Sequence, residues 1–240
     1  MPTGLGDEVI WLCPSLDDSP NDLSGNGNNG TYVNGTATVA DSDPTYGGSR
    51  AYNFDGTDSY IDIQGLTGQY TTGGSHSTSV WVYQDTVRDQ FYFMRYQSVT
   101  ADQRSEYLFA QSLYSRTGAG FKQSGASNVL YVNSTNQSGA WYNLATTYDS
   151  TTRTQTIYKN GVSVGSTVFA GNGTWSTNYA EVGRVRISGG ATELYSNLKM
   201  DDIRSFTRVL TQSEITLLAS TRGFTAGGGT HINRTLLGVG

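Results

Sequence analysis

Hydrolysis by paired carboxylates needs two acidic side chains flanking one bond, about 5 Å apart in retaining glycosidases. The chain holds five glutamates, Glu8, Glu106, Glu181, Glu193 and Glu214. Apart from the adjacent Asp7 and Glu8, none has a carboxylate two or three residues away, so no single strand presents an acid beside a nucleophile. His76, in Gly73-Gly74-Ser75-His76-Ser77, and His231 read as solvated loop residues and give no support to a histidine mechanism. The one thiol, Cys13, lies in the apolar run Val9-Ile10-Trp11-Leu12-Cys13, which excludes an internal disulfide and reads as a buried small hydrophobe. These residue types point away from an enzyme.

Binding chemistry has better carriers. Asp22, Ser24 and Asn26 occupy alternate positions, with Gly27 next, as in the first half of a calcium loop, where oxygens at positions 1, 3 and 5 precede a turning glycine. Position 12 is Val33, so the bidentate acid would have to come from elsewhere, and Asp201 or Asp202 near the last strand is the candidate, Asp202 completing the set. The competing reading is an Asx turn in which Asp22 accepts backbone hydrogen bonds. For a glycan, whose rings present CH patches and hydroxyls, Trp175, Asn178 and Tyr179 in Gly171-Asn172-Gly173-Thr174-Trp175-Ser176-Thr177-Asn178-Tyr179 form the expected setting. The same tryptophan also suits a loop anchor. Trp11, Trp81 and Trp141 sit in strand-like runs and are expected in the core, with Phe54 and Ile203.

The positioning elements are strands. Sixteen Tyr and 30 Gly among 240 residues, with only 15 % charged, suit half-buried pleated surfaces joined by tight turns. About a dozen apolar or alternating runs recur at short spacing, which predicts a sandwich or barrel. Asn160-Gly161 between two such runs predicts a type I′ hairpin. Thr211-Gln212-Ser213-Glu214 is a capping box, followed at helical spacing by Ile215 and Leu218 with Gly223 as the expected stop, so one short helix closes the domain.

In order, these segments resemble the LamG-like jelly-roll family of the concanavalin A-like lectin/glucanase superfamily. The carriers are Asp22-Leu23-Ser24-Gly25-Asn26-Gly27-Asn28-Asn29-Gly30-Thr31, Tyr52-Asn53-Phe54-Asp55-Gly56-Thr57-Asp58-Ser59-Tyr60-Ile61 and Ser79-Val80-Trp81-Val82. Trp141-Tyr142-Asn143-Leu144-Ala145-Thr146-Thr147-Tyr148-Asp149, Tyr158-Lys159-Asn160-Gly161-Val162 and Met200-Asp201-Asp202-Ile203-Arg204 complete the series. The resemblance covers roughly residues 8–220. It implies two antiparallel sheets whose first and last strands lie side by side, mostly in non-catalytic binding, adhesion or assembly modules.

A net charge of −5 and the lack of a Lys/Arg cluster argue against nucleic acid, and no apolar run is long enough for a membrane helix. The stretch Met1-Pro2-Thr3-Gly4-Leu5-Gly6-Asp7-Glu8 is acidic where a secretory leader is basic and then apolar, so no signal peptide is expected in the chain. The expected organisation is a jelly roll over residues 1–223 and a glycine-rich arm over 224–240. In the arm Phe224, Ile232, Leu236, Leu237 and Val239 would seat on other protein subunits. The functional expectation is a decoration component of a surface assembly, such as a bacteriophage virion, with a lectin-like surface. The alternative is a free-standing carbohydrate-binding module for extracellular glycans.

Overall fold

The computed structural model describes residues 5–40, 50–98, 103–112, 115–123, 126–133, 136–174, 176–187, 192–220 and 222. The strands in chain order are β1 (Glu8–Leu12), β2 (Gly30–Val33), β3 (Ala37–Ala40), β4 (Arg50–Asp55), β5 (Tyr60–Ile63) and β6 (His76–Tyr83). They continue with β7 (Gln90–Ser98), β8 (Gln103–Gln111), β9 (Arg116–Gln123), β10 (Ala126–Asn133), β11 (Tyr142–Asp149) and β12 (Thr154–Lys159). Then come β13 (Val162–Val168), β14 (Tyr179–Val182), β15 (Arg184–Ile187), β16 (Thr192–Tyr195) and β17 (Asn197–Phe206), with one helix, α1 (Gln212–Ser220).

Two antiparallel sheets form the jelly-roll sandwich. An eight-stranded sheet runs β13-β12-β11-β6-β17-β4-β3, with β1 also paired to β17, so the first and last strands are neighbours. A seven-stranded sheet runs β10-β9-β8-β7-β14-β5-β2. Period-2 alternation sends Val80, Val82, Leu144, Met200 and Ile203 from one sheet against Ile61, Phe93, Leu108, Leu130 and Val182 from the other, and this is the main core. Phe54 joins it as expected.

The turn and cap chemistry matches its residues. Asn160 and Gly161 take φ of 49° and 80°, as the I′ hairpin between β12 and β13 requires. Thr211 N–H donates to Glu214 Oε2 at 2.8 Å, Glu214 N–H donates back to Thr211 Oγ1 at 3.3 Å, and Ile215 and Leu218 pack on Ala145, Phe206 and Leu210. The apolar stretch from Tyr179 to Val185 contributes to two strands. Gly183, at φ 84°, breaks it into β14, in the sheet, and β15, which turns away to pair only with β16.

Of the three tryptophans expected in the core, Trp11 and Trp81 are buried and Trp141 is not. Ile10, Leu12, Val80 and Val82 face the core, so Trp11 and Trp81 must face the other way, on the outer side of the eight-stranded sheet. Both are nonetheless buried there. Trp81 Nε1–H donates to the Leu218 carbonyl at 3.0 Å beneath α1, and Trp11 lies under Arg204 at 4.2 Å. Trp141 is only half-buried, set between Tyr83 and Arg222, because it precedes the first ladder pair of β11.

Asp201 and Asp202 depart as well. Regular alternation would bury only one of them, yet both are buried. The ladder slips between Asp201 and Arg204, and Asp202 takes φ 47°, so a β-bulge turns consecutive carboxylates into shielded surroundings.

Candidate functional site

The outer face of the seven-stranded sheet carries an open aromatic groove. Its floor follows from two glycines in β9. Gly118 lies opposite Phe109 of β8 and Tyr131 of β10, and Gly120 lies opposite Tyr107 and Val129. Directly opposed residues share a face, so each glycine is flanked by large side chains while presenting none itself. A methyl group on Gly118 would stand 2.4 Å from the Phe109 ring, and one on Gly120 would stand 1.9 Å from the Asn128 carbonyl oxygen. The strand therefore forms a trough. Phe91 and Met94 of β7 extend the two rows, and Val185 and Leu194 of the β15–β16 hairpin raise one wall.

The cavity measures about 220 Å³, with Asp89, Arg104, Gln111 and Ser127 at its rim. Phe109 and Tyr131 meet edge to face at 5.9 Å, and Tyr107 lies 5.5 Å from Phe109. Tyr131 is 40 % exposed. The Arg116 guanidinium covers its ring at 3.8 Å while its Nε–H donates to Gln111 Oε1 at 2.8 Å. Flat hydrocarbon faces beside charged and amide groups make a surface for a ligand that is itself half CH and half hydroxyl. None of these residues was singled out from the sequence. The signal was present in the alternation of Tyr107 and Phe109 followed by the Gly118-Ala119-Gly120 run, but it becomes a site only when the strands are in register.

The loop residues expected to bind sugar are placed differently. Asn178 N–H donates to the Tyr96 carbonyl and its Nδ2 to the Gln97 carbonyl, while its Oδ1 accepts from Thr67 Oγ1. Its polar atoms thus tie the loop to β7. Tyr179 stacks on Tyr96 at 5.3 Å. Trp175 lies outside the described residues, as do Phe224, Ile232, Leu236, Leu237 and Val239 of the proposed arm.

Around Asp22 the loop is spanned by hydrogen bonds. Oδ1 accepts from the Trp11 and Ser24 amides at 2.9 and 3.0 Å, and Oδ2 accepts from Ser24 Oγ at 2.7 Å and the Asn28 amide at 2.9 Å. Asn26 Nδ2 donates to the Glu8 carbonyl. This is the Asx-turn arrangement. Asp202 is engaged on the far side of Trp11, accepting from Trp11 Nε1 at 2.7 Å and Arg204 Nε at 2.8 Å, so it is not brought to the loop.

Each glutamate is held by an arginine: Glu8 by Arg204, Glu106 by Arg95, Glu181 and Glu193 by Arg184, and Glu214 by Arg208. A Gly-x-Ser-x-Gly string does occur at Gly161-Val162-Ser163-Val164-Gly165. Ser163 lies on the exposed strand β13 opposite Tyr158, where a nucleophile elbow would need a strand–turn–helix. His76 is not a solvated loop residue. It opens β6, buried, with its ring 5.3 Å from Tyr148. His231 lies outside the described residues.

Residues 55–216 match the family model of the concanavalin A-like lectin/glucanases superfamily. The chain belongs to this family. No curated protein sequence matches it. Among solved structures this concanavalin A-like chain is similar to domain 4 of AbnA, a GH43 extracellular arabinanase from Geobacillus stearothermophilus, in complex with arabinotriose. That pair shares 19 % identity over 89 % of this chain and 98 % of that one, with a TM-score of 0.67. It is also similar to the binding domain of Paraclostridial Mosquitocidal Protein 1, with 16 % identity over 89 % and 52 % of the two chains and a TM-score of 0.67. A third is botulinum neurotoxin type C, whose cell entry depends on interaction with two ganglioside molecules, with 12 % identity over 89 % and 51 % and a TM-score of 0.64. This chain spans about half the length of the two toxin structures. The likeness is one of fold.

Proposed function

We propose that this domain is a non-catalytic carbohydrate-binding module that holds a glycan in the groove over β7 to β10. The observation that carries the reading is the glycine-floored trough between Tyr107, Phe109 and Tyr131, with charged and amide groups at its rim. Rings stack against the CH face of a sugar while Arg104, Asp89 and Gln111 meet its hydroxyls. The volume, below the roughly 300–1,000 Å³ of a drug-sized site, suits a short saccharide end. Arabinotriose in one structural neighbour and gangliosides for another make a glycan the first ligand class to test. Such a module works on an extracellular, glycan-bearing surface. These neighbours favour the free-standing binding module over a decoration component of a virion, a reading that rests on residues 224–240.

The test is titration of the purified chain with arabinotriose, gangliosides and a panel of neutral oligosaccharides. At least one should bind, and Tyr131→Ala should weaken it about tenfold, roughly 1.4 kcal/mol. The same variant should unfold within about 0.5 kcal/mol of the parent, because Tyr131 is a surface residue. Binding that survives Tyr131→Ala unchanged, or no binding across the panel, would remove the groove from consideration.

A further inference from the structure

A second polar site lies between the sheets, at the end of the sandwich where β6 begins and the 171–178 loop leads into β14. It is built around Arg95 of β7. Arg95 Nε–H donates to Glu106 Oε2 at 2.6 Å, Nη1 donates to Thr177 Oγ1 at 3.2 Å, and the guanidinium lies 4.0 Å over the Tyr70 ring. Glu106 in turn accepts from Thr78 Oγ1 at 2.7 Å. Burial alone would raise the Glu106 carboxyl, but the Arg95 guanidinium and the Thr78 hydroxyl hold it below its usual value. Every member of this network is therefore fixed in place and charge-balanced.

Two atoms of the cluster are left over. Among the described residues, neither Arg95 Nη2 nor His76 Nε2 has a hydrogen-bond partner, His76 Nε2 standing 3.9 Å from Glu106 Oε1, although Arg95 is 2 % and His76 5 % exposed. A buried donor or acceptor left without a partner carries its full desolvation penalty. Both residues line a pocket of about 20 Å³, with Thr71, Gly73, Gly74, Ser105, Tyr148, Gly173 and Thr177. Two close-packed turns frame it. A methyl group on Gly73 would lie 2.1 Å from the Gly173 carbonyl oxygen. Exposed Thr71 stands on the solvent side, and Tyr148 hydrogen-bonds Asn172 to hold the second turn.

The hydrogen-bond polarity of the pocket is determined. His76 Nδ1 lies 3.1 Å from the Gly74 carbonyl, which can only accept, so Nδ1 carries the proton. Burial pushes the imidazole down to about 4 against the pull of Glu106, so at neutral pH Nε2 is a bare acceptor. Arg95 Nη2 is a pure donor. One group that accepts from Arg95 and donates to His76 satisfies both. A hydroxyl does this, whereas a carboxylate, an ammonium or a methyl group does not. The pocket has room for one group of about that size.

We propose that this pocket is a hydroxyl-recognition subsite for a saccharide, in which one sugar hydroxyl takes the hydrogen bond from Arg95 Nη2 and gives one to His76 Nε2. The inference rests on the carbohydrate-binding reading above but uses no residue of the groove. Water is the other source of the same chemistry, so the experiment separates the two. ¹⁵N-labelled protein at pH 7 is titrated with arabinotriose, galactose and N-acetylglucosamine while the His76 Nε2 resonance is followed. Binding of one of them should shift that resonance by several ppm. His76→Phe, which keeps a ring against Tyr148, should bind about tenfold more weakly, and His76→Gln, which restores an acceptor, should recover part of the loss. The wild-type shift decides the matter even if a variant fails to fold. A saccharide that binds and is lost in Tyr131→Ala, with His76 unmoved, overturns the pocket and leaves the groove standing. A His76 shift that Tyr131→Ala does not alter supports the pocket and overturns the groove. No response to any saccharide, with a fixed water bridging His76 and Arg95 in a crystal structure, overturns the subsite.

Discussion

The outer faces of the two sheets are both rich in aromatic side chains, but among the described residues only the seven-stranded sheet leaves a groove beside its rings. Over the eight-stranded sheet, α1 closes on Trp81, and Trp11 is sealed beneath Arg204, Asp202 and Glu8. Over the seven-stranded sheet, Tyr107 and Phe109 are themselves buried, at 3 % and 8 % exposure, among Phe91, Met94 and the β15–β16 hairpin, and Tyr131 stays open at 40 % among the described residues. Burying a large apolar side chain stabilises by about 1.5–3 kcal/mol. The covered face uses that gain for folding, and the open face leaves part of it for a ligand. Aromatic content alone therefore does not mark a binding surface. What marks it here is an exposed ring, Tyr131, beside a groove that no described element fills.

The sharpest way to break this division is to attack the covered face and look for an effect on the open one. Arg204 is fully buried and serves both Asp202 and Glu8. Arg204→Ala leaves two carboxylates buried beside a cavity and should cost about 3–5 kcal/mol in urea unfolding. Saccharide affinity per folded molecule should not change. A parallel loss of affinity would show that the two faces are coupled.

The next effect also belongs to the covered face and appears in pH dependence. Burial pushes the Asp201 carboxyl up to about 7, with Arg222 opposing and Asp202 adding to the rise. The folded value lies above the unfolded value of about 3.9. This group's contribution is therefore full below about pH 4 and is lost as pH rises through about 7. Asp201→Asn should match the parent near pH 4 and exceed it at pH 8, by an amount on the order of 2 kcal/mol. Parallel curves for the two proteins across that window would refute the assignment.

Gly118→Ala gives a smaller stability effect than Arg204→Ala and the largest expected contrast with its effect on binding. Its methyl group meets the Phe109 ring at 2.4 Å, so the ring must swing into the groove. Overpacking of this kind costs about 1–3 kcal/mol, while saccharide binding should fall below detection. Retained affinity would mean that the ligand does not use the trough above β9.

Much of the architecture was legible in the residues. The β-rich class, the Asn160-Gly161 hairpin, the Thr211–Glu214 cap and the pairing of the first and last strands follow from local turn chemistry, the period-2 pattern and the family resemblance. The glutamate spacing likewise excluded paired carboxylates on one strand. Alternation separates the two faces of a strand but does not say which face meets the other sheet, so the burial of Trp11 and Trp81 was legible while their side of the sheet was not. A bulge resets the alternation, which is why Asp201 and Asp202 are both buried. The groove and the His76–Arg95 pocket are wholly tertiary. Phe91, Phe109, Gly118 and Tyr131 form one row only because four strands hydrogen-bond in register, and His76 meets Arg95 only because the two sheets stack. Local residue preference determined the strands and turns of this protein. Register and sheet packing, which depend on contacts between distant segments, decided where it can bind.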